Sequence, residues 1–280
     1  MSDIEFTADD DDPPSGAWTA AQIDTSVAHP ARMYDYYLGG KDNYEVDREA
    51  AEAFLKVLPQ GKATAQANRT FLGRAVRYLA TAGIEQFLDI GTGIPGPGNT
   101  NEVAHTVAPQ ARIVYVDNDP IVITHARALL ARSDPSRTAV AYADLREPES
   151  ILDNPDVRAV IDFDKPVAIL LIGVLHFIAD REDPAGIVAK LRAVMAPGSY
   201  LAITAATPDM NPAVSLEAAS YYERASAPLV PRTWDQVNEY FSGLEYVEPG
   251  LVQLPWWRPD GELEADADGI WVYGGVGLKR

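Results

Sequence analysis

Residues 87–99 read FLDIGTGIPGPGN, and four of them carry the chemistry: Gly91, Gly93 and Gly96 at the spacing G-x-G-x-x-G, with Asp89 two residues ahead of the first glycine. Glycines at the end of a strand let a ligand approach the backbone closely. The spacing occurs in dinucleotide loops, where the helix begins inside the motif so that its N-terminus meets the pyrophosphate. Here Pro95 and Pro97 flank Gly96, and Asn99 with Glu102 three residues on resembles a capping box, which starts the helix late. Asp89 adds a charge argument. A carboxylate beside a pyrophosphate is repelled by roughly a kcal/mol or more in a partly buried cleft. Beside an α-ammonium group it accepts a charge-assisted hydrogen bond. The loop residues Gly91, Thr92 and Gly93 with Asp89 therefore favour an aminoacyl-adenosine ligand, S-adenosylmethionine, over a dinucleotide. The structural alternative for Asp89 is a strand-end acid bonded to loop amides.

Asp117 stands 28 residues after Asp89, at the end of the next apolar run (ARIVYVDN). An acid there accepts hydrogen bonds from both hydroxyls of a ribose, a role that serves NAD equally well. Asn118 is placed against the adenine or ribose. Asp119 precedes Pro120, the favoured N-cap and first-turn pair, and reads as a helix cap. In LIGVLHFI, Gly173 leaves room for a methionine arm, and His176 lies at a strand's C-terminal end, facing either the cofactor or an acceptor. A histidine there is the candidate base for an O–H or N–H acceptor, or else a hydrogen-bonded structural residue.

The elements that position these residues follow from periodicity. Strands QFLDIG, ARIVYVDN, TAVAYAD, KPVAILLIGVL and GSYLAIT alternate with helical segments, which implies parallel crossovers and a sheet covered on both faces. Two late strands, LEYVEPGLVQL and GIWVYGGVGLK, suit an antiparallel edge hairpin. The expected fold is α/β and Rossmann-like: a mostly parallel seven-stranded sheet with that hairpin, preceded by helices at about 47–57 and 63–82. The expected organisation is an acidic disordered tail over 1–15, a helical lid over 16–62 and one cofactor-binding domain over 63–280.

Composition bounds the function. The formal charge is −18, from 23 Lys plus Arg against 41 Asp plus Glu, and six of those acids fall in the first twelve residues. Such a surface gains little from counterion release, so nucleic acid is a poor partner. No cysteine is present, which removes thiolate metal sites, and no His- or acid-based metal motif is readable. The longest apolar run, Val167–Leu175 with one glycine in it, is too short to span a bilayer. A cytoplasmic enzyme with a small-molecule substrate is expected, with no membrane or nucleic-acid partner.

The glycine loop resembles the first motif of class I S-adenosylmethionine-dependent methyltransferases. HPARMYDYYLGGKDNYEVDREAAE, YVDNDPIVITHARALL and YGGVGLK resemble, more narrowly, the S-adenosyl methyltransferase family formerly catalogued as a domain of unknown function. The resemblance implies that Asp144 accepts from the adenine amino group and that the Leu145 N–H donates to the ring. In the N-terminal segment Tyr34, Tyr36, Tyr37 and Tyr44 surround Gly39-Gly40. They read as a lid bending at Gly40, with Tyr37 over the cofactor and Arg32 or Lys41 at its carboxylate, or as rings that only pack a helix. The acceptor side is expected in the insert after the fifth strand, residues 206–234, with Trp256 and Trp257 as stacking or core residues. Direct in-line transfer of methyl to an O, N or C acceptor follows. The alternatives are a non-catalytic S-adenosylmethionine sensor, a polyamine-synthase-like enzyme and an NAD-dependent oxidoreductase.

Overall fold

The computed structural model describes residues 24–130, 134, 136–262 and 267–280. The acidic stretch 1–15 lies outside them. Helix α1 (Pro30–Tyr37) is capped by His29 and followed by α2 (Glu45–Val57) and α3 (Gly61–Thr81). The alternating part then runs β1 (Gln86–Ile90), α4 (Thr100–Val107), β2 (Arg112–Asp117), α5 (Pro120–Leu130), β3 (Thr138–Tyr142), α6 (Pro148–Leu152), α7 (Pro155–Val160), β4 (Ala168–Ile172), α8 (Pro184–Val194) and β5 (Tyr200–Ala206). Helices α9 (Pro212–Ser220) and α10 (Trp234–Tyr240) precede β6 (Glu245–Tyr246), β7 (Val252–Gln253) and β8 (Val272–Leu278).

The sheet has the order β3-β2-β1-β4-β5-β8-β6, with β7 also paired to β8. Strands β1 to β5 pair in parallel and β8 is antiparallel to β5, as the alternating pattern requires. One detail departs from expectation. LEYVEPGLVQL is two short strands on β8, not one, because Pro249 has no N–H for a ladder and Gly250 turns with φ +91°. The described sheet therefore has eight strands.

Alternation along the strands explains the two apolar layers. Leu88, Ile90, Val114 and Val116 face one way, onto α6, α7, α8 and α10. Phe87, Ile113 and Tyr115 face the other, onto α3, α4 and α5. Trp257 is fully buried in this second layer, edge-on to Phe71 at 5.0 Å, which makes it a core residue. A third cluster joins Met33, Tyr37, Ala51 and Phe54 to Ala65, Ala218 and Tyr222, so α1 and α2 are held across α3 and α9.

The strand order reverses between β1 and β4. In open α/β sheets ligands bind outside the carboxyl ends of the strands at that point. Both strands end there in a glycine of positive φ, Gly91 (+72°) and Gly173 (+76°). A Cβ on Gly91 would lie 2.4 Å from Val174 Cγ2, so only glycine lets the two turns meet.

Candidate active site

A cavity of about 440 Å³ opens at this reversal. That volume lies within the range of small-molecule sites. It is lined by Asp89 and Gly91–Gly93 after β1, Asp117–Ile121 after β2, Ala143–Arg146 after β3 and Ile172–Val174 after β4. Asp24, Val27, His29–Arg32 and Tyr34 cover it from the N-terminal segment.

Three of its carboxylates are buried, Asp89, Asp117 and Asp119, the last being the cap of α5. Asp89 is 5% exposed and accepts from the Thr100 hydroxyl at 2.6 Å. Burial raises its pKa to about 6, against the opposing pull of Thr100 and Arg69. Asp117 is 7% exposed, and its two oxygens accept from the Gly93 and Asp119 N–H groups, both at 2.9 Å. Burial likewise raises its pKa to about 6, offset in part by those amide bonds. A buried carboxylate with one hydrogen bond per oxygen has acceptor capacity left, because each oxygen has two lone-pair sites.

The loop between them has the predicted late helix start. Asn99 caps α4 by accepting from the Glu102 N–H at 3.2 Å. The return bond differs from a capping box, since the Glu102 carboxylate accepts from Gly98 at 2.8 Å instead of from Asn99. Arg69 of α3 donates to the Gly96 carbonyl at 3.0 Å and pins the loop. Asp119 caps α5 through the Ile121 N–H at 2.8 Å.

At the β3 end, burial alone would raise the pKa of Asp144. Bonds from Arg146 and from the Asn118 amide (3.1 Å) instead hold it below the usual carboxylate value. Asn118, Asp144 and Leu145 thus share one end of the cavity, with Leu145 buried beneath it.

A smaller cavity of about 110 Å³ adjoins the first, sharing Pro30, Tyr34, Asn68, Gly173 and Phe177 with it. It is walled by Tyr37 and Phe54 from α1 and α2, and by Tyr222, Leu229 and Trp271 from the C-terminal half. Asn68 stands at the junction. Its amide N–H donates to the Tyr34 hydroxyl at 3.1 Å, and its carbonyl accepts from Thr204 at 2.7 Å. Thr204 in turn accepts from the Gly173 N–H at 2.8 Å, fixing the turn after β4.

A family model described as S-adenosyl methyltransferase matches residues 16–280. The chain belongs to that family. A solved structure of a DUF574 family protein from Streptomyces avermitilis is 44% identical, with a TM-score of 0.86, covering 92% of this chain and all of its own. A putative methyltransferase from Thermobifida fusca is 43% identical at a TM-score of 0.86, covering 94% of this chain and 99% of its own. At 10% identity and a TM-score of 0.51, the plantazolicin methyltransferase BamL covers 89% of this chain and 95% of its own and shares the fold. No curated protein matches the chain.

The chain is thus an S-adenosylmethionine-dependent methyltransferase, and no described helix is long and apolar enough to cross a membrane. Within the methyltransferase, most of the residues singled out from sequence lie around the larger cavity, and four do not act there as expected. Arg32 lines it, but its guanidinium donates to the Val27 carbonyl at 2.9 Å and lies 3.6 Å from both Asp47 and Asp119. That side chain, 3% exposed, braces α1 through Nη2, while Nε and Nη1 make no hydrogen bond to the described residues. Tyr37 belongs to the smaller cavity. Gly40 lies in neither; its Cα faces Asp35, whose carboxylate would be 1.9 Å from an added Cβ. Asp35 ties the turn by accepting from Asp42 (3.0 Å) and Asn43 (2.7 Å), so Gly39-Gly40 is a bonded turn between two helices.

His176 is the fourth. It lies in the smaller cavity, in a single turn Leu175–Phe177. Its Nδ1 accepts the Ala206 N–H at 3.2 Å, and burial, helped by Arg232, lowers its pKa to about 3. The lone pair is used, Nε2 carries the hydrogen, and the ring is a donor that does not suit the role of base. Sequence reading also passed over Asn68, Arg69 and His29. Asn68 and Arg69 lie inside α3, where no motif marks them, and His29 opens the quoted N-terminal segment as the cap of α1.

Proposed function

We propose that this methyltransferase transfers a methyl group to a small-molecule acceptor held in the smaller cavity, with the cofactor in the larger one. When bound, S-adenosylmethionine supplies an electrophilic methyl group on a sulfonium sulfur. Asp89 holds the α-ammonium group, and Arg69, in place of Arg32, faces the carboxylate. Asp117 takes the ribose hydroxyls, while Asn118, Asp144 and Leu145 hold the adenine. Gly91, Thr92, Gly93 and Gly173 let the ligand approach the backbone. Segment 16–62 acts as the lid: its described part covers the larger cavity with His29, Arg32 and Tyr34 and the smaller one with Tyr37 and Phe54.

The observation that carries the reading is the pair of buried carboxylates, Asp89 and Asp117, on neighbouring strands at one cavity. A buried carboxylate is costly unless a partner compensates it. A ligand with an ammonium group at one end and paired hydroxyls nearby does so at both positions, whereas a pyrophosphate would add to the cost. The chain's own contribution to rate is alignment and exclusion of water, since the two cavities meet at Gly173 and Asn68. Calorimetric titration with S-adenosylmethionine, S-adenosylhomocysteine and NAD in parallel tests this. Saturable binding of the first two and none of NAD is expected, and binding of NAD alone would overturn the reading.

A further inference from the structure

The smaller cavity has a composition unlike the rest of the molecule. The chain is 23% charged, yet among the described residues no Asp, Glu, Lys or Arg lines this cavity. Besides His176, six aromatic side chains do: Tyr34, Tyr37, Phe54, Phe177, Tyr222 and Trp271. Phe54 meets Tyr222 edge-on at 5.5 Å, and Phe177 lies 5.6 Å from Tyr222, so the rings form a continuous wall. With no cation present, a carboxylate or phosphate on the acceptor would be desolvated without compensation, and a protonated amine would find no acid.

The lining also lacks a group able to remove a proton. The Tyr37 and Tyr222 hydroxyls bond to each other at 3.1 Å, and burial pushes both phenols above their ordinary value. Tyr34 donates to the Ala65 carbonyl at 3.0 Å. The lone pair of His176 Nδ1 is taken by Ala206. What the cavity offers instead is donors. His176, 9% exposed, carries its hydrogen on Nε2, which has no partner among the described residues. Thr64 Oγ1 is buried, also without a partner. One buried hydroxyl without a partner, beside an imidazole N–H that is free to donate, suits a ligand that accepts hydrogen bonds.

Resting on the reading of the larger cavity as the cofactor site, we propose that the methyl acceptor is a small uncharged aromatic nitrogen base, oriented by hydrogen bonds from His176 Nε2–H and Thr64 Oγ1 to a second heteroatom. Oxygen and carbon nucleophiles must lose a proton during methylation, and no lining residue takes one. A ring nitrogen has its lone pair free. That pair forms the new N–C bond, the C–S pair returns to sulfur, and the positive charge passes from sulfur to the ring with no proton to place. A cage of aromatic faces stabilises a ring cation as it develops. The volume of about 110 Å³ limits the acceptor to a single ring, and the opening to the larger cavity at Gly173 and Asn68 gives a ring substituent its room.

The test uses the full chain loaded with S-adenosylhomocysteine and three single-ring probes, followed by ligand-observed NMR. The probes are acetylpyridine, its phenol analogue hydroxyacetophenone, and nicotinate. Acetylpyridine should bind saturably, by roughly tenfold or more over nicotinate, and give N-methylpyridinium when S-adenosylmethionine replaces the product. Thr64→Val keeps the shape of the side chain and should weaken acetylpyridine about fivefold, with S-adenosylhomocysteine affinity unchanged. His176→Leu should weaken it similarly, and His176→Gln, which can accept from Ala206 and still donate, should restore it. Tighter binding of nicotinate or hydroxyacetophenone, or failure of acetylpyridine to bind the loaded protein, overturns the proposal and leaves the cofactor reading standing. Failure of the chain to bind S-adenosylhomocysteine at all overturns both.

Discussion

The two adjoining cavities are built in opposite ways. The larger one is made where strands end: its buried carboxylates and its glycines lie within a few residues of β1, β2 and β4, and each is set by local backbone geometry. The smaller one is assembled from α1, α2, α3, the turn after β4, the end of β5, α9 and residues just before β8. One is rich in buried charge and the other has none among the described residues. Chemistry common to every reaction of the fold belongs on the sheet, which is rigid and topologically fixed. Chemistry that selects a substrate belongs on the connecting segments, which can differ while the sheet stays the same.

The largest effect should come from the sheet side. Gly91→Ala asks for a φ of +72° and puts a Cβ at 2.4 Å from Val174. Strain and overlap together should cost about 3 kcal/mol or more of stability. A thermal melt with no shift would show that the turns after β1 and β4 can separate freely.

Asp89→Asn comes next and isolates charge from shape. The amide oxygen can still accept from Thr100, so folding should be intact, and relief of a buried charge should hold or raise stability near neutral pH. Binding of S-adenosylmethionine should weaken by about 2 kcal/mol, roughly thirtyfold, through loss of the charge-assisted bond. Unchanged affinity in a calorimetric titration would remove Asp89 from the ammonium site.

The same acid sets a pH dependence. The folded-state pKa values of Asp89 and Asp117, about 6, lie above the ordinary 3.8, so the folded chain binds these protons more tightly than the unfolded one. Stability should therefore fall as pH rises from about 4 to about 6 and level off above. With Asp89 at the ammonium group as proposed, cofactor binding should run the other way, because that contact uses the ionised acid. Affinity should be about tenfold lower at pH 5 than at pH 7, with proton release on binding below pH 6. Titrations in two buffers of different ionisation enthalpy measure that release, and a flat affinity across this range would contradict the assignment.

The contrast between the cavities also explains what could be read from the sequence. Asp89, Asp117, the glycine turns and the late start of α4 were legible because each rests on spacing within one strand–turn–helix unit. The parallel strand set was legible for the same reason. Arg32 differs from its expected role because its partners Asp47 and Asp119 depend on how α1 packs, which periodicity does not specify, and Gly40 because the local Asp35 carboxylate closes the turn over it. His176 carried a real positional signal, but its role turned on the Ala206 N–H, 30 residues away on β5. Asn68 bridges Tyr34 and Thr204 across three elements, and an asparagine inside a long helix gives no hint of that. The division of LEYVEPGLVQL into two strands was present in Pro249 and Gly250 and simply outweighed by the apolar pattern.

The smallest effect expected separates the cavities directly. Tyr222→Phe removes one hydroxyl of the Tyr37–Tyr222 pair and leaves the ring wall in place. The Tyr37 hydroxyl then loses its partner inside a buried cluster, which should lower stability by about 1 kcal/mol. Affinity for S-adenosylmethionine should not change, since neither ring lines the larger cavity. If cofactor affinity drops with that stability, the two cavities are energetically one site and α1 transmits between them through Tyr34 and Asn68. If it stays constant while acceptor binding shifts, the division of labour between sheet and helices holds down to a single hydroxyl.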